Sequence, residues 1–153
     1  MSAVLSLGSN LGDREAHLSA ALEVLAPLAV SSVWETAPVG GPDQGPYLNL
    51  VVLCDLDAAT AWERAQQAEQ SAGRTREVRW GPRTLDVDVI QARAPVPPGL
   101  LVPHPRAHER AFVLVPWLEV DPNARLPQGP VRALLTDLDP TGVRRVGPLS
   151  RSR

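Results

Sequence analysis

The sequence contains no lysine; every one of its 15 basic residues is arginine. Each cationic contact this chain can make is therefore a planar, permanently charged fork able to bind an anion through two parallel hydrogen bonds. Cysteine is nearly absent too. A single residue, Cys54, excludes an intrachain disulfide framework and any CxxC metal site. It lies in the apolar run NLVVLC, which reads as a packed thiol rather than a nucleophile. Aromatics are scarce, with four Trp, one Tyr and one Phe. No stretch approaches the roughly 20 apolar residues of a membrane span. The start, MSAVLSLGSN, has no basic segment and too short an apolar run for a signal peptide. A cytoplasmic protein is the expectation. A net charge of −2 gives no global electrostatic case for nucleic acid or an anionic membrane.

What is present fits one globular domain over residues 1–153, with a frayed tail after about 147. The chain is 44% hydrophobic and 21% charged. AVLSLG (3–8) reads as a buried strand broken by Gly8, Asn10 and Gly12. Residues 13–26 repeat Leu18, Leu22 and Leu25 at helical spacing, and Pro27 ends the run. AVSSVWET (29–36) is a second strand. A breaker-rich loop, APVGGPDQGP (37–46), leads into a third, YLNLVVLCDL (47–56). Asp57 caps a helix over 58–72, and Gly73 stops it. The basic segment RTREVRWGPR (74–83) precedes a strand with an odd composition, TLDVDVI (84–90). The order β-α-β-β-α-β predicts an α+β, ferredoxin-like sandwich, with helices packed on one face of a mainly antiparallel sheet. Further on, AFVLVPWLEVDP is an apolar run broken by Pro116. VRALLTDL reads as a short helix and VRRVG as a last strand.

The acidic strand is the most informative stretch. Strand side chains alternate, so Asp86 and Asp88 share one face and Leu85, Val87 and Val89 the other. The two carboxylates are then roughly 6–7 Å apart. They repel by about 2–3 kcal/mol at an effective dielectric near 20. Either that face is fully wet or a cation sits between the acids. Mg²⁺ suits the second case, because it takes one or two carboxylates and fills its shell with water and phosphate oxygens. Arg74, Arg76, Arg79 and Arg83 crowd the preceding segment. Paired Asp and clustered Arg is the composition for holding a polyphosphate from two sides. An ion-pair network is the plain alternative, but it requires neither the Gly–Pro breakers nor four arginines for two acids. LVPHPRAHERAF (101–112) adds His104 between two prolines, followed by Arg106 and Arg110. Tyr47 and Phe112 lie beside loops and are able to sandwich a flat ring, with core packing as the plain alternative. Asn49 shares Tyr47's strand face and carries an amide suited to a heterocycle edge. Trp62 reads as core. Gln66 and Glu69 share a helix face.

RWGPRTLDVDVI (79–90) resembles the signature stretch of the 6-hydroxymethyl-7,8-dihydropterin pyrophosphokinases of folate biosynthesis. LGSNLGD (7–13), ETAPVGGPDQGPYLN (35–49) and VPHPRAHERAFVLVPW (102–117) match the same family in the same order. The resemblance implies a ferredoxin-like fold and a monomer. It implies transfer of pyrophosphate from ATP to the hydroxymethyl oxygen of the pterin, with release of AMP. It further implies that Asp86 and Asp88 hold two Mg²⁺. Arg74, Arg76 and Arg83 would engage the phosphates, with Arg74 arriving last on a closing loop. His104 and Arg110 would form the opposite wall. Gln66, Glu69 and Val89 fall on the nucleotide side. Tyr47 and Phe112 would stack on the pterin, Asn49 would bind its edge with backbone groups of Thr36, Ala37 and Val39, and Trp80 would shape the closing loop. Two other classes fit parts of the pattern: a ferredoxin-like binding module with a passive cation site, and a metal-dependent phosphohydrolase acting on ATP alone.

Overall fold

The computed structural model describes residues 3–10, 12–36, 46–72, 85–139 and 142–149. Its elements begin with β1 (Ala3–Ser9), α1 (Arg14–Leu25), β2 (Ala29–Val30), β3 (Val33–Thr36) and β4 (Tyr47–Cys54). They continue with α2 (Ala58–Ser71), β5 (Asp86–Gln91) and α3 (Ala111–Val120), then β6 (Arg125–Leu126), β7 (Gly129–Pro130), α4 (Val131–Leu135) and β8 (Val143–Gly147). The main sheet runs β5-β1-β4-β3-β8, with β2 also on β4. Its neighbouring strands pair antiparallel. α1 links β1 to β3 with β4 between them, and α2 links β4 to β5 with β1 between them. Those two interleaved crossovers make the ferredoxin-like α+β sandwich expected from the sequence.

Local chemistry explains the helix boundaries. Asp13 caps α1 by accepting the Ala16 N–H at 3.1 Å, and Asp57 caps α2 by accepting the Thr60 N–H at 2.7 Å. α1 ends at Ala26, which takes a left-handed conformation (φ 48°) just before Pro27. α2 buries Ala58, Ala61, Ala65 and Ala68. Small side chains on that stripe let the helix lie close to the sheet. Gly73, the expected stop of α2, lies outside the described residues.

Four expectations need correction. Gly8 does not break β1, which runs on through it to Ser9. Residues 29–36 are not one strand. The Ser31 hydroxyl accepts the Val51 N–H at 2.9 Å, and the chain is interrupted between β2 and β3. Nor are the helices confined to one face. Leu5, Leu7, Leu50 and Val89 face α1 and α2 in one core cluster. Val4, Val51 and Ile90 point the other way and are covered by Val113, Leu114 and Trp117 of α3 in a second. α3 forms straight through Pro116. A proline in a helix interior loses one hydrogen bond and crowds the carbonyl four residues back, together about 3 kcal/mol, and burial of Val113, Leu114, Pro116 and Trp117 offsets it. α4 and β8 fall where the sequence suggested.

Candidate active site

β5 is an edge strand of the sheet. Val87 and Val89 are buried on its α2 side, while Asp86 and Asp88 are half-buried on its α3 side. The apolar side anchors the strand and so fixes the position of the acids. Glu69 on α2 adds a direct tie, its carboxylate accepting the Val87 N–H at 2.9 Å. A hydrogen bond to a charged acceptor is worth about 1.5–3 kcal/mol. This one holds the peptide between the two acids.

Register brings the other candidates onto the acids' face. Gly8 of β1 pairs with Asp86 on one side and Asn49 on the other, and Ser6 likewise lies between Asp88 and Val51. Asn49 in turn pairs with Trp34, and Tyr47 with Thr36. Asn49 and Thr36 are both buried, and the Asn49 amide donates to the Thr36 hydroxyl at 2.7 Å. The Thr36 side chain thus orients Asn49, a role that the backbone contact expected of Thr36 did not include. Arg110 and Phe112 sit at the start of α3, the guanidinium 5.6 Å from the ring centroid in a cation–π contact.

His104 closes the other end. Its backbone N–H donates to the Ile90 carbonyl of β5 at 2.7 Å. Its Nδ1 accepts the Arg106 N–H at 3.1 Å. A neutral ring bonded in this way carries its proton on Nε2. Burial pushes the imidazole pKa below its ordinary value; Asp88 pulls upward, and Arg110 and Arg106 push further down.

A cleft of about 490 Å³ opens along the β5 edge, lined by Trp62, Gln66, Glu69, Asp86 and Asp88 among others. Gln66 and Glu69 therefore share one cavity with the acid pair. Trp62, expected in the core, packs against it and also lines this cleft. Val89 is 4% exposed within the α1–α2 core, so its side chain is packing and only its backbone is left for a nucleotide. Cys54 is buried and its thiol is pushed up to about 11 by that burial, against the pull of Arg64, in keeping with a packed thiol. Arg74, Arg76, Trp80, Arg83, Ala37 and Val39 lie outside the described residues. Among the described residues, no three His, Cys, Asp or Glu side chains group as metal ligands. Two carboxylates still fit Mg²⁺, which fills its remaining positions with water and phosphate. No described helix is long and apolar enough to cross a membrane.

A ferredoxin-like sheet with two acids at its edge, beside an open polar cleft, suits the phosphoryl-transfer class. Comparison with known proteins makes the class specific. Residues 4–122 match the family model described as 7,8-dihydro-6-hydroxymethylpterin-pyrophosphokinase. The chain is 47% identical to the 2-amino-4-hydroxy-6-hydroxymethyldihydropteridine pyrophosphokinase of Mycobacterium leprae, over 92% of this chain and 86% of that protein. It is 45% identical to the protein of the same name from Mycobacterium tuberculosis (strain ATCC 25618 / H37Rv), over 90% and 84%. It is also 45% identical to that of Bacillus subtilis, over 77% of each. The chain belongs to this family of pyrophosphokinases.

Proposed function

We propose that the chain transfers the β,γ-pyrophosphoryl group of ATP to the hydroxymethyl oxygen of 6-hydroxymethyl-7,8-dihydropterin. The pterin oxygen attacks the β-phosphorus, the bond from that phosphorus to the α-phosphate bridging oxygen breaks, and AMP leaves. The hydroxyl proton passes to solvent, AMP carries away the bridging oxygen, and the product is the pterin diphosphate. The observation that carries this reading is the shared sheet face. Asp86 and the buried, oriented Asn49 flank one residue of β1, so a ring held at Asn49 and a phosphate chain held at Asp86 are neighbours.

Asp86 and Asp88 would hold Mg²⁺, two ions in the reading from resemblance. Bound there, such ions supply charge neutralisation for the triphosphate. The chain's own groups do the rest. Gln66 and Glu69 line the edge cleft beside the acids and would take the nucleotide there, with the Val89 backbone as a further contact that the resemblance implies. His104, through Nε2–H, and Arg110 would face the phosphates from the α3 side, and the resemblance assigns Arg74, Arg76 and Arg83 to the same phosphates. Tyr47 and Phe112 would stack on the pterin and Asn49 would read its edge; the backbones of Thr36, Ala37 and Val39, and Trp80, are the further pterin contacts that the resemblance implies. No separate general base is needed, since positioning and charge stabilisation carry most of this chemistry. ATP supply argues for a cytoplasmic enzyme, working as a monomer with one catalytic domain.

The test is product identity with Mg²⁺, ATP and the pterin. AMP formed in step with pterin diphosphate, and only with pterin present, supports the proposal. ADP, or AMP without pterin, points to a kinase or hydrolase. Nucleotide binding without turnover points to a binding module. Asp86→Ala and Asp88→Ala should each lower transfer by about 10²–10³-fold while melting like wild type. Retained activity in either variant would remove the acid pair from the mechanism.

A further inference from the structure

Gly8 has no backbone reason to be glycine. The described glycines with positive φ are Gly12, Gly99, Gly129 and Gly147, and Gly8 is not among them. It lies inside a regular strand, paired on both sides. A glycine there loses chain entropy on folding and packs nothing, so what it supplies is space. The space is specific. A Cβ built on Gly8 would lie 3.0 Å from Asn49 Oδ1 and 3.4 Å from the Tyr47 ring. Asn49 cannot easily yield, because it is 4% exposed and its amide is held by Thr36 at 2.7 Å.

We infer that Gly8 is a specificity-determining position: its missing side chain is the passage by which the 6-hydroxymethyl arm of the pterin reaches the Asp86 side of the sheet. This rests on the proposed function. Strands are about 4.8 Å apart, so roughly 9–10 Å separates the backbone carrying Asn49 from that carrying Asp86. β1 lies between them, and the β1 residue in that row is Gly8. A ring read by Asn49 must send its reacting arm over β1 to meet a phosphate chain at the acids. Any side chain at position 8 stands in the arm's path and presses on the ring's reader.

The experiment compares Gly8→Ala with wild type for three ligands. They are the hydroxymethyl dihydropterin, 7,8-dihydropterin lacking the 6-substituent, and α,β-methylene-ATP with Mg²⁺. Gly8→Ala should weaken the arm-bearing pterin by about tenfold or more, which is about 1.4 kcal/mol. It should weaken the bare ring clearly less, and change nucleotide affinity by less than about twofold. Equal loss for both pterins, no loss for either, or parallel loss of the nucleotide would overturn the inference. Should Gly8→Ala fail to fold, the wild-type protein decides by NMR. The Gly8 amide resonance should move clearly further with the hydroxymethyl pterin than with the bare ring, and equal shifts with both would overturn it. If wild type makes no pterin diphosphate and binds neither pterin, the proposed function fails. If wild type works and Gly8→Ala treats both pterins alike, only this inference fails.

Discussion

A single imidazole shows how the site's charges act on one another. Four influences meet on His104: burial, which disfavours the cation, Asp88, which favours it, and Arg110 and Arg106, which oppose it. Its folded pKa therefore lies below the ordinary 6.5. The unfolded chain takes up the proton first as pH falls, so the stability tied to neutral His104 is complete above about 6.5. It drains as pH drops through that value towards the lower folded one. In the metal-free protein Asp88→Asn removes the influence that pulls upward, and the His104 pKa should fall further. Arg110→Ala should raise it. Ring-proton NMR titration reads both, and a pKa that rises in Asp88→Asn would contradict this account of the site. Asp86, Asp88 and His104 were legible as candidates because their residue types and spacing carry the chemistry. That His104 Nδ1 is occupied by the Arg106 N–H was not legible, because a sequence does not fix the ring's rotamer.

At the scale of an element, the position of β3 depends on α3. Glu119 accepts from the Ser32 N–H at 3.1 Å, the Ser32 hydroxyl at 2.6 Å and the Trp34 indole at 3.0 Å. Arg145 of β8 donates to the same Ser32 hydroxyl at 3.1 Å. β3 ends at Thr36, which orients Asn49, so this clamp lies behind the wall proposed to read the pterin. Burial pushes the Glu119 carboxyl up, but the hydrogen bonds from Ser32 and Trp34, with Arg145 nearby, outweigh it and hold the pKa below the ordinary 4.5. The stabilisation is thus present above about 4.5 and is lost as pH falls through the lower folded value. Glu119→Ala leaves the buried Ser32 N–H without that acceptor. Glu119 itself is exposed, which screens the carboxylate, so the cost is about 0.5–1.5 kcal/mol. Urea melts at pH 7 and at pH 3.5 check it: wild type and Glu119→Ala should differ at neutral pH and converge in acid. An undiminished difference at pH 3.5 would show that packing, not the carboxylate, is responsible. Nothing in AVSSVWET announced this clamp, since its partner lies 87 residues away in a helix that Pro116 disguised.

Across the whole molecule, legibility followed the range of the interactions. α1, α2, β4 and β5 show themselves through local periodicity and caps such as Asp13 and Asp57, and together they imply the ferredoxin-like order. α3 did not, because a proline mid-run reads locally as a break, whereas burial against the far face of the sheet decides the matter. The site divides in the same way. The identities of its acids and of the residues proposed to bind the ring are written in the sequence. The row Asp86–Gly8–Asn49, the Thr36–Asn49 bond and the Glu69–Val87 bond depend on cross-strand register and helix placement, which local pattern does not encode. Trp117 tests this division, because the second core is built around it. It is 1% exposed, and its indole Nε1 has no hydrogen-bond partner among the described residues. Trp117→Ala should cost about 3–5 kcal/mol through the cavity it leaves. Trp117→Phe loses part of the ring but also an unpaired buried donor, so its cost should stay near 1–2 kcal/mol. α3 begins with Arg110 as its cap and carries Phe112 in its first turn, so the Ala variant should also weaken pterin binding, while the Phe variant should retain it. Thermal melts read alongside pterin titrations give both quantities. If Trp117→Ala loosened the core and left pterin affinity untouched, Phe112 would owe its place to the sheet rather than to the helix that carries it.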